Sequence, residues 1–218
     1  CNYVLKNFPG EPDLKAAIAY DSRNNGKLFA ETTAQIFSAN GIKVYLFDSL
    51  RPTPELSFAV RHFGCKTGVV ITASHNPKEY NGYKAYWEDG GQVIAPHDKN
   101  IIEEVLKITS VDDVKWKGNS EDITIIGDDF DKIYVENLKS LTLSPEAVSN
   151  NKDMKIVYTP IHGTGVKLVP QILKEIGFTN IISVPEQNVV SGDFPTVKSP
   201  NPEESAALSL AIEKAKAE

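Results

Sequence analysis

Leu14-Lys15-Ala16-Ala17-Ile18-Ala19-Tyr20 reads as a strand that stops at the polar run Asp21-Ser22-Arg23-Asn24-Asn25-Gly26. Working outward, Leu28, Phe29, Ala30, Thr33, Ile36 and Phe37 recur at three- and four-residue spacing, which predicts a helix over residues 27–40 with Gly41 as its terminator. Ile42 to Phe47 predicts a second strand, and Pro54 to Phe63 a second helix with its proline in a permitted first-turn position. Thr67 to Thr72 predicts a third strand, apolar without alternation and therefore buried on both faces. Strand, helix, strand, helix, strand makes two βαβ units and sets the fold class as α/β.

The texture then changes. Tyr83-Lys84-Ala85-Tyr86-Trp87 and Gln92-Val93-Ile94 flank Glu88-Asp89-Gly90-Gly91, a hairpin signal, and a helix from Asp98 to Ile108 follows. After a polar stretch, Ile123 to Ile126 and a helix from Asp128 to Leu141 lead to the run 144–151, the candidate boundary between domains at 1–150 and 151–218. Beyond it, strands at Met154 to Thr159 and Asn180 to Val184, a helix at Val166 to Ile176 and a last helix from Pro202 predict a second α/β unit.

Composition excludes several classes. A chain of 218 residues, 41% hydrophobic and 24% charged, has the make-up of a folded globular protein, not a disordered or collagenous one. The 23 basic against 29 acidic residues give a net charge of −6, without the basic excess that nucleic acid demands. No apolar run approaches the roughly 20 residues of a membrane span. Two cysteines, Cys1 and Cys65, build no disulfide framework and fit a reducing, cytoplasmic setting. A chain opening on Cys1 and closing within the helix-forming run from Ala206 to Lys214 is expected to be a piece of a longer protein.

Thr72-Ala73-Ser74-His75-Asn76-Pro77 stands where the third strand gives out, the place where ligands of α/β sheets collect. Pro77 fixes its own φ and restricts Asn76, so the turn is stiff and Ser74 is presented. From residue types alone, a polar turn closed by a side-chain hydrogen bond and an exposed nucleophile are both open readings. Arg23 either lends positive charge to this loop or pairs with Asp21. The run His162-Gly163-Thr164-Gly165 ahead of a helix either offers N–H groups to a phosphate or is an ordinary connection.

The loop, followed by Tyr80-Asn81-Gly82-Tyr83-Lys84, resembles the phosphoserine loop of the α-D-phosphohexomutase family, which includes phosphoglucomutases and phosphomannomutases. Asp21-Ser22-Arg23, the run Thr53 to Arg61, His162 to Gly165 and the run Gly192 to Glu204 carry the resemblance over almost the whole chain. The last of these is similar to the branch with phosphopentomutase-like and bacterial phosphoglucomutase-like members.

The resemblance implies a mixed sheet with helices on both faces, as the first domain of a four-domain enzyme, and the beginning of a second similar domain. It implies a mutase that moves a phosphoryl group between the 1- and 6-positions of a hexose through a phosphoserine enzyme and a sugar bisphosphate. Ser74 takes the phosphoryl group, His75 and Lys84 act on it as cations or donors, with Lys84 orienting the sugar hydroxyl or moving its proton, and Arg23 and Asn76 bind substrate or support the site. His75 is equally readable as a donor that pins the loop. Pentose 1-/5-phosphate mutation, bisphosphate synthesis and a silent phosphosugar-binding regulator are the alternatives. The family's Mg²⁺ would meet phosphorylated Ser74, but the acidic metal loop of the family is not in this sequence. Asp128-Asp129-Phe130-Asp131-Lys132 is in the wrong place and reads as the acidic first turn of a helix. Catalysis by this piece alone is therefore not expected. Implied partners are a phosphosugar substrate and the remaining domains of the parent.

Overall fold

The structure, a computed structural model, describes all 218 residues. The chain forms two compact units. The first contains Cys1–Tyr20, Asn25–Thr72 and Gly82–Ile126; the second gathers Asp21–Asn24, Ala73–Asn81 and Gly127–Glu218.

In the first unit a short helix α1 (Asn2–Asn7) precedes strand β1 (Lys15–Tyr20), helix α2 (Gly26–Ala39), β2 (Lys43–Phe47), α3 (Thr53–His62), β3 (Thr67–Ile71), β4 (Tyr83–Trp87), α4 (His97–Leu106) and β5 (Ile123–Ile126). The sheet runs β4-β3-β1-β2-β5, with β4 antiparallel to β3 and every other pair parallel, so the expected mixed sheet is present. Alternation along the strands assigns the faces. Ile18, Leu46, Val69 and Ile71 lie in one apolar cluster with Ala30, Ala34 and Phe37 of α2. On β3 the next residue over, Gly68, faces α3 from the opposite side. A Cβ there would stand 2.6 Å from Val60 Cγ2 and 3.3 Å from Leu56 Cδ2, so glycine lets the helix approach. Each fully buried aliphatic side chain in these layers contributes about 1.5–3 kcal/mol. Cys65 lies in this interior, 1% exposed, and burial pushes its thiol pKa up to about 12, which keeps it unreactive.

The hairpin signal survives only in part. Gly90 donates to the Trp87 carbonyl at 2.9 Å, but the return is a single bridge between Gln92 and Tyr86, not a strand through Ile94. No helix in the chain is long and apolar enough to cross a membrane.

The second unit contains α5 (Asp128–Ser140), α6 (Pro145–Asn150), β6 (Ile156–Tyr158), α7 (Gly165–Ile176), β7 (Ile181–Ser183), α8 (Pro185–Asn188) and α9 (Ser209–Ala217), with β6 and β7 paired in parallel. Three acidic residues in its first turn favour α5 at that end. The last helix begins seven residues later than Pro202 suggests. Asn201 accepts from the Glu203 N–H through Oδ1 at 3.1 Å and from the Glu204 N–H through its carbonyl at 3.0 Å, and this turn holds the chain out of the helix.

Candidate functional site

The candidate site begins where β3 ends. Thr72 and Ala73 are still buried; from Ser74 to Tyr80 every residue is exposed. The chain turns back on itself through two tight hydrogen bonds, Asn76 N–H to the Ala73 carbonyl and Tyr80 N–H to the Pro77 carbonyl, each at 3.0 Å. Ser74 sits at φ 55°, in the left-handed region that non-glycine residues avoid at a cost of roughly 1–2 kcal/mol. Strain of that kind persists only where the surroundings dictate it.

What dictates it is Arg23, a residue with 3% of its surface exposed. Its Nη1 donates to the carbonyls of Pro77 (2.9 Å) and Tyr80 (2.8 Å), and its Nη2 donates to those of Ser74 (3.0 Å) and Asn76 (2.6 Å). One planar fork thus meets four carbonyls of a single loop, a geometry an ammonium could not supply. Nε makes no hydrogen bond and faces Asp21 Oδ2 at 3.6 Å. Asp21 also accepts from the Arg23 backbone N–H at 2.9 Å, which sets the polar turn after β1. Burial draws the guanidinium pKa down from its ordinary value, and the Asp21 carboxylate pushes it back up. Of the two roles open from sequence, pairing with Asp21 accounts only for Nε at 3.6 Å, while the terminal N–H groups do something neither role named: they hold four carbonyls of the loop.

Among the other residues singled out from the sequence, Asn76 enters the clamp through its carbonyl, and His75 is exposed on the same loop. Lys84 lies half-buried on β4, opposite Val70, in the unit built around the five-stranded sheet. The structure therefore brings Arg23, Ser74 and Asn76 together, with His75 beside them in the chain.

His162 is held by protein on both sides of its ring. It is fully buried, with Nδ1 at 2.7 Å from the Val189 carbonyl and Nε2 at 2.8 Å from Thr196 Oγ1. A carbonyl only accepts, so Nδ1 carries the proton, and the Thr196 hydroxyl donates to Nε2 while accepting from Gln187 Nε2 at 3.1 Å. The His162 and Gly163 N–H groups are taken by the carbonyls of Gln187 and Pro160, both at 2.9 Å. Gly165 leaves room for the Tyr158 hydroxyl, which a Cβ would strike. This run is a packed connection. Exchange of His162 for leucine should lower the unfolding free energy of the chain by about 2 kcal/mol, by stripping Thr196 and Val189 of their partner. Urea titration is the check, and a midpoint unchanged from the parent would refute the network.

Sequence reasoning missed Asn24 and Asp193. Asn24 donates from Nδ2 to Asp193 Oδ1 and accepts through its carbonyl from Asn81 Nδ2, each at 3.1 Å. Partners 169 and 57 residues apart leave no local signal.

No group of three or more His, Cys, Asp or Glu side chains is placed to share a metal ion. The acidic turn of α5 is internally neutralised: Lys167 Nζ bonds Asp131 at 2.6 Å and also reaches Asp128. A hard cation wants several oxygens, and these residues do not by themselves make such a site.

Comparison with known proteins agrees with the fold. Residues 1–112 match the phosphoglucomutase/phosphomannomutase α/β/α domain I, and residues 132–218 match α/β/α domain II of the same family. A phosphoglucomutase of Staphylococcus haemolyticus is 38% identical over 98% of the chain, which spans 38% of that protein. The human phosphopentomutase is 35% identical over 94% of the chain, spanning 35% of its length, and a glucose 1,6-bisphosphate synthase of Pongo abelii is 37% identical with the same coverage. The structure of a phosphoglucomutase/phosphomannomutase family protein from Burkholderia thailandensis superposes with a TM-score of 0.74 over 99% of the chain and 44% of that protein; at 21% identity the likeness is one of fold. The chain thus spans well under half the length of these relatives. With both domain descriptions matched in order, it belongs to the phosphoglucomutase/phosphomannomutase family.

Proposed function

We propose that the full-length protein is a phosphosugar mutase that interconverts hexose 1-phosphate and hexose 6-phosphate with Ser74 as the phosphoryl carrier. The observation that carries this reading is the serine itself: exposed, at positive φ, on a loop whose carbonyls are gripped by one buried arginine. A polar turn needs no such device. A nucleophile does, because holding the reacting atoms in line is most of what an enzyme contributes to phosphoryl transfer.

In the forward half-reaction the bond from Ser74 Oγ to phosphorus breaks as a sugar hydroxyl oxygen forms the new one; the sugar hydroxyl gives up its proton, and the freed Ser74 Oγ takes up one to become a hydroxyl again. The sugar bisphosphate then returns its other phosphoryl group to Ser74. Lys84 is the group proposed to orient the hydroxyl or move its proton, His75 to donate to the phosphoryl oxygens or pin the loop, and Arg23 and Asn76 to fix the loop. Phosphorylated Ser74 would be one oxygen ligand of Mg²⁺, and these residues do not supply the rest. Sugar 1,6-bisphosphate is the activator this cycle calls for. The setting we propose is the cytoplasm, with a phosphosugar as substrate and neither nucleic acid nor membrane as partner.

A second reading, pentose 1-/5-phosphate mutation or synthesis of the bisphosphate, is favoured by the relatives named phosphopentomutase and glucose 1,6-bisphosphate synthase. Ser74 acts identically in each. The test common to all of them is intact-mass and peptide analysis of the full-length protein after incubation with glucose 1,6-bisphosphate. One phosphoryl group on the Ser74 peptide is expected; a protein that binds phosphosugars and never takes up phosphate is a regulator. A division at 1–150 and 151–218 belongs to the same proposal, and limited proteolysis within 144–151 would support it, whereas cutting first inside β3 would sink it.

A further inference from the structure

Arg23 has a face as well as a fork. Its terminal nitrogens are spent on the serine loop, and its Cζ lies 5.5 Å from the ring centroid of Phe194. That is within reach of a cation–π contact, strongest where water is excluded, and both partners are buried, 3% and 5% exposed. Phe194 itself is at φ 47°. The turn that bears it is pressed against the segment carrying Arg23: a Cβ on Gly192 would stand 2.6 Å from the Asn24 nitrogen and 2.8 Å from the Ser22 carbonyl oxygen, both backbone atoms with nowhere to move. From behind, the turn is braced two residues on, where Thr196 is held by His162 and Gln187.

From these contacts we infer that the Gly192–Phe194 turn is a positioning element for the Ser74 loop, acting through Arg23 and Asn24. The inference rests on Ser74 being the phosphoryl carrier. Two routes lead from the turn to the loop. Phe194 covers the guanidinium that clamps the carbonyls of Ser74, Asn76, Pro77 and Tyr80, and Asp193 holds Asn24, which in turn holds Asn81 at the loop's far end. Residues 193 and 194 also line, with Lys78 of the loop itself, an open cleft of about 600 Å³, so that turn and loop form neighbouring walls of one space. Arg23 and Phe194 are positioning residues, not catalytic ones: the fork is occupied, and the ring has no donor or acceptor to offer a phosphoryl group.

The test uses the full-length protein with Phe194→Leu and Gly192→Ala, each read three ways. Hydrogen exchange at the Asn76 and Tyr80 amides, which close the loop, should quicken about 10-fold in both variants, while the amides of β6 and α7 keep their wild-type rates. Uptake of phosphate by Ser74 from glucose 1,6-bisphosphate should slow by about 10-fold, with the concentration for half-saturation within about 2-fold of wild type, because a misplaced nucleophile loses attack geometry and not sugar binding. Circular dichroism and the urea midpoint report whether the variants are folded. Loop amides unchanged in both variants would overturn the inference, as would quickening shared equally by β6 and α7, which marks a merely structural residue. A Ser74 that never accepts phosphate in the wild type, with loop amides still responding to Phe194→Leu, would defeat the mutase reading and leave the coupling standing.

Discussion

Full-length protein carrying Ser74→Ala should turn over glucose 1-phosphate at less than about one thousandth of the wild-type rate, with its fold and its sugar-phosphate affinity intact. Loss of a covalent nucleophile removes the intermediate altogether, and comparable deletions cost up to about 10⁶ in kcat. No rescue is expected from a nearby hydroxyl, since a substitute would have to lie within about 3–3.5 Å of the attack position. The side chain is exposed and removing its oxygen opens no cavity, so thermal stability should stay within about 0.5 kcal/mol. Alanine frees the left-handed backbone of nothing, because its Cβ pays the same steric cost as that of serine. Steady-state turnover coupled to a dehydrogenase is the measurement. Residual activity above a few per cent would move the nucleophile elsewhere in the protein.

Arg23→Met should be the most damaging change that touches no substrate. Methionine keeps most of the length and apolar volume of the side chain but deletes every side-chain donor, so four carbonyls lose a partner at once and Asp21 loses the positive charge beside it while keeping its bond from the residue-23 N–H. Water can reach the exposed loop and take over part of that bonding, whereas the half-buried Asp21 is compensated less well. A loss of about 2–4 kcal/mol in unfolding free energy follows, along with roughly 10²-fold slower phosphate uptake by Ser74. Arg23→Lys restores the charge without the fork and should recover only part of either quantity, since one ammonium has three N–H bonds for four acceptors on two sides of the loop. Urea unfolding of the variants decides the matter; a methionine variant within about 0.5 kcal/mol of wild type would show that the clamp is ornamental to the loop.

The α/β sheet was legible because burial writes itself into short repeats. The apolar run Ala16 to Tyr20, buried throughout, and the recurrence of Ala30 and Phe37 along α2 need no distant partner to be read, whereas Leu28 and Phe29, read as part of the same apolar series, are exposed. Where the sequence misled, a local hydrogen bond outweighed a propensity. Asn201 closes a turn that postpones the last helix to Ser209, and the strand expected at Gln92 to Ile94 shrinks to a bridge because pairing with β4 ends at the bond from the Val93 N–H to the Ala85 carbonyl. The site divides the same way. A stiff, polar, strand-terminal loop around Ser74 could be read from Asn76-Pro77, but its grip could not: the carbonyls that Arg23 holds are 51 to 57 residues away, and carbonyls have no sequence signature. The ring of Phe194 over Arg23 is farther still.

The second compact unit is stitched from stretches far apart along the chain, Asp21–Asn24, Ala73–Asn81 and everything from Gly127 on. On a ribosome this imposes an order of events. The strands β1 to β3 can pair as soon as residue 72 has emerged, and Arg23 can take its four loop carbonyls once residue 80 has, but the ring that covers Arg23 and the carboxylate that holds Asn24 are not made until residues 193 and 194 have been added. At synthesis rates of about 5–20 residues per second, the clamped serine loop waits several seconds for these last two contacts. A nascent chain therefore holds the clamp long before it holds the residues that brace it. Premature termination between residues 126 and 192 would release a protein that has every strand of its larger sheet and the four carbonyls of the clamp, and yet lacks the ring that covers Arg23.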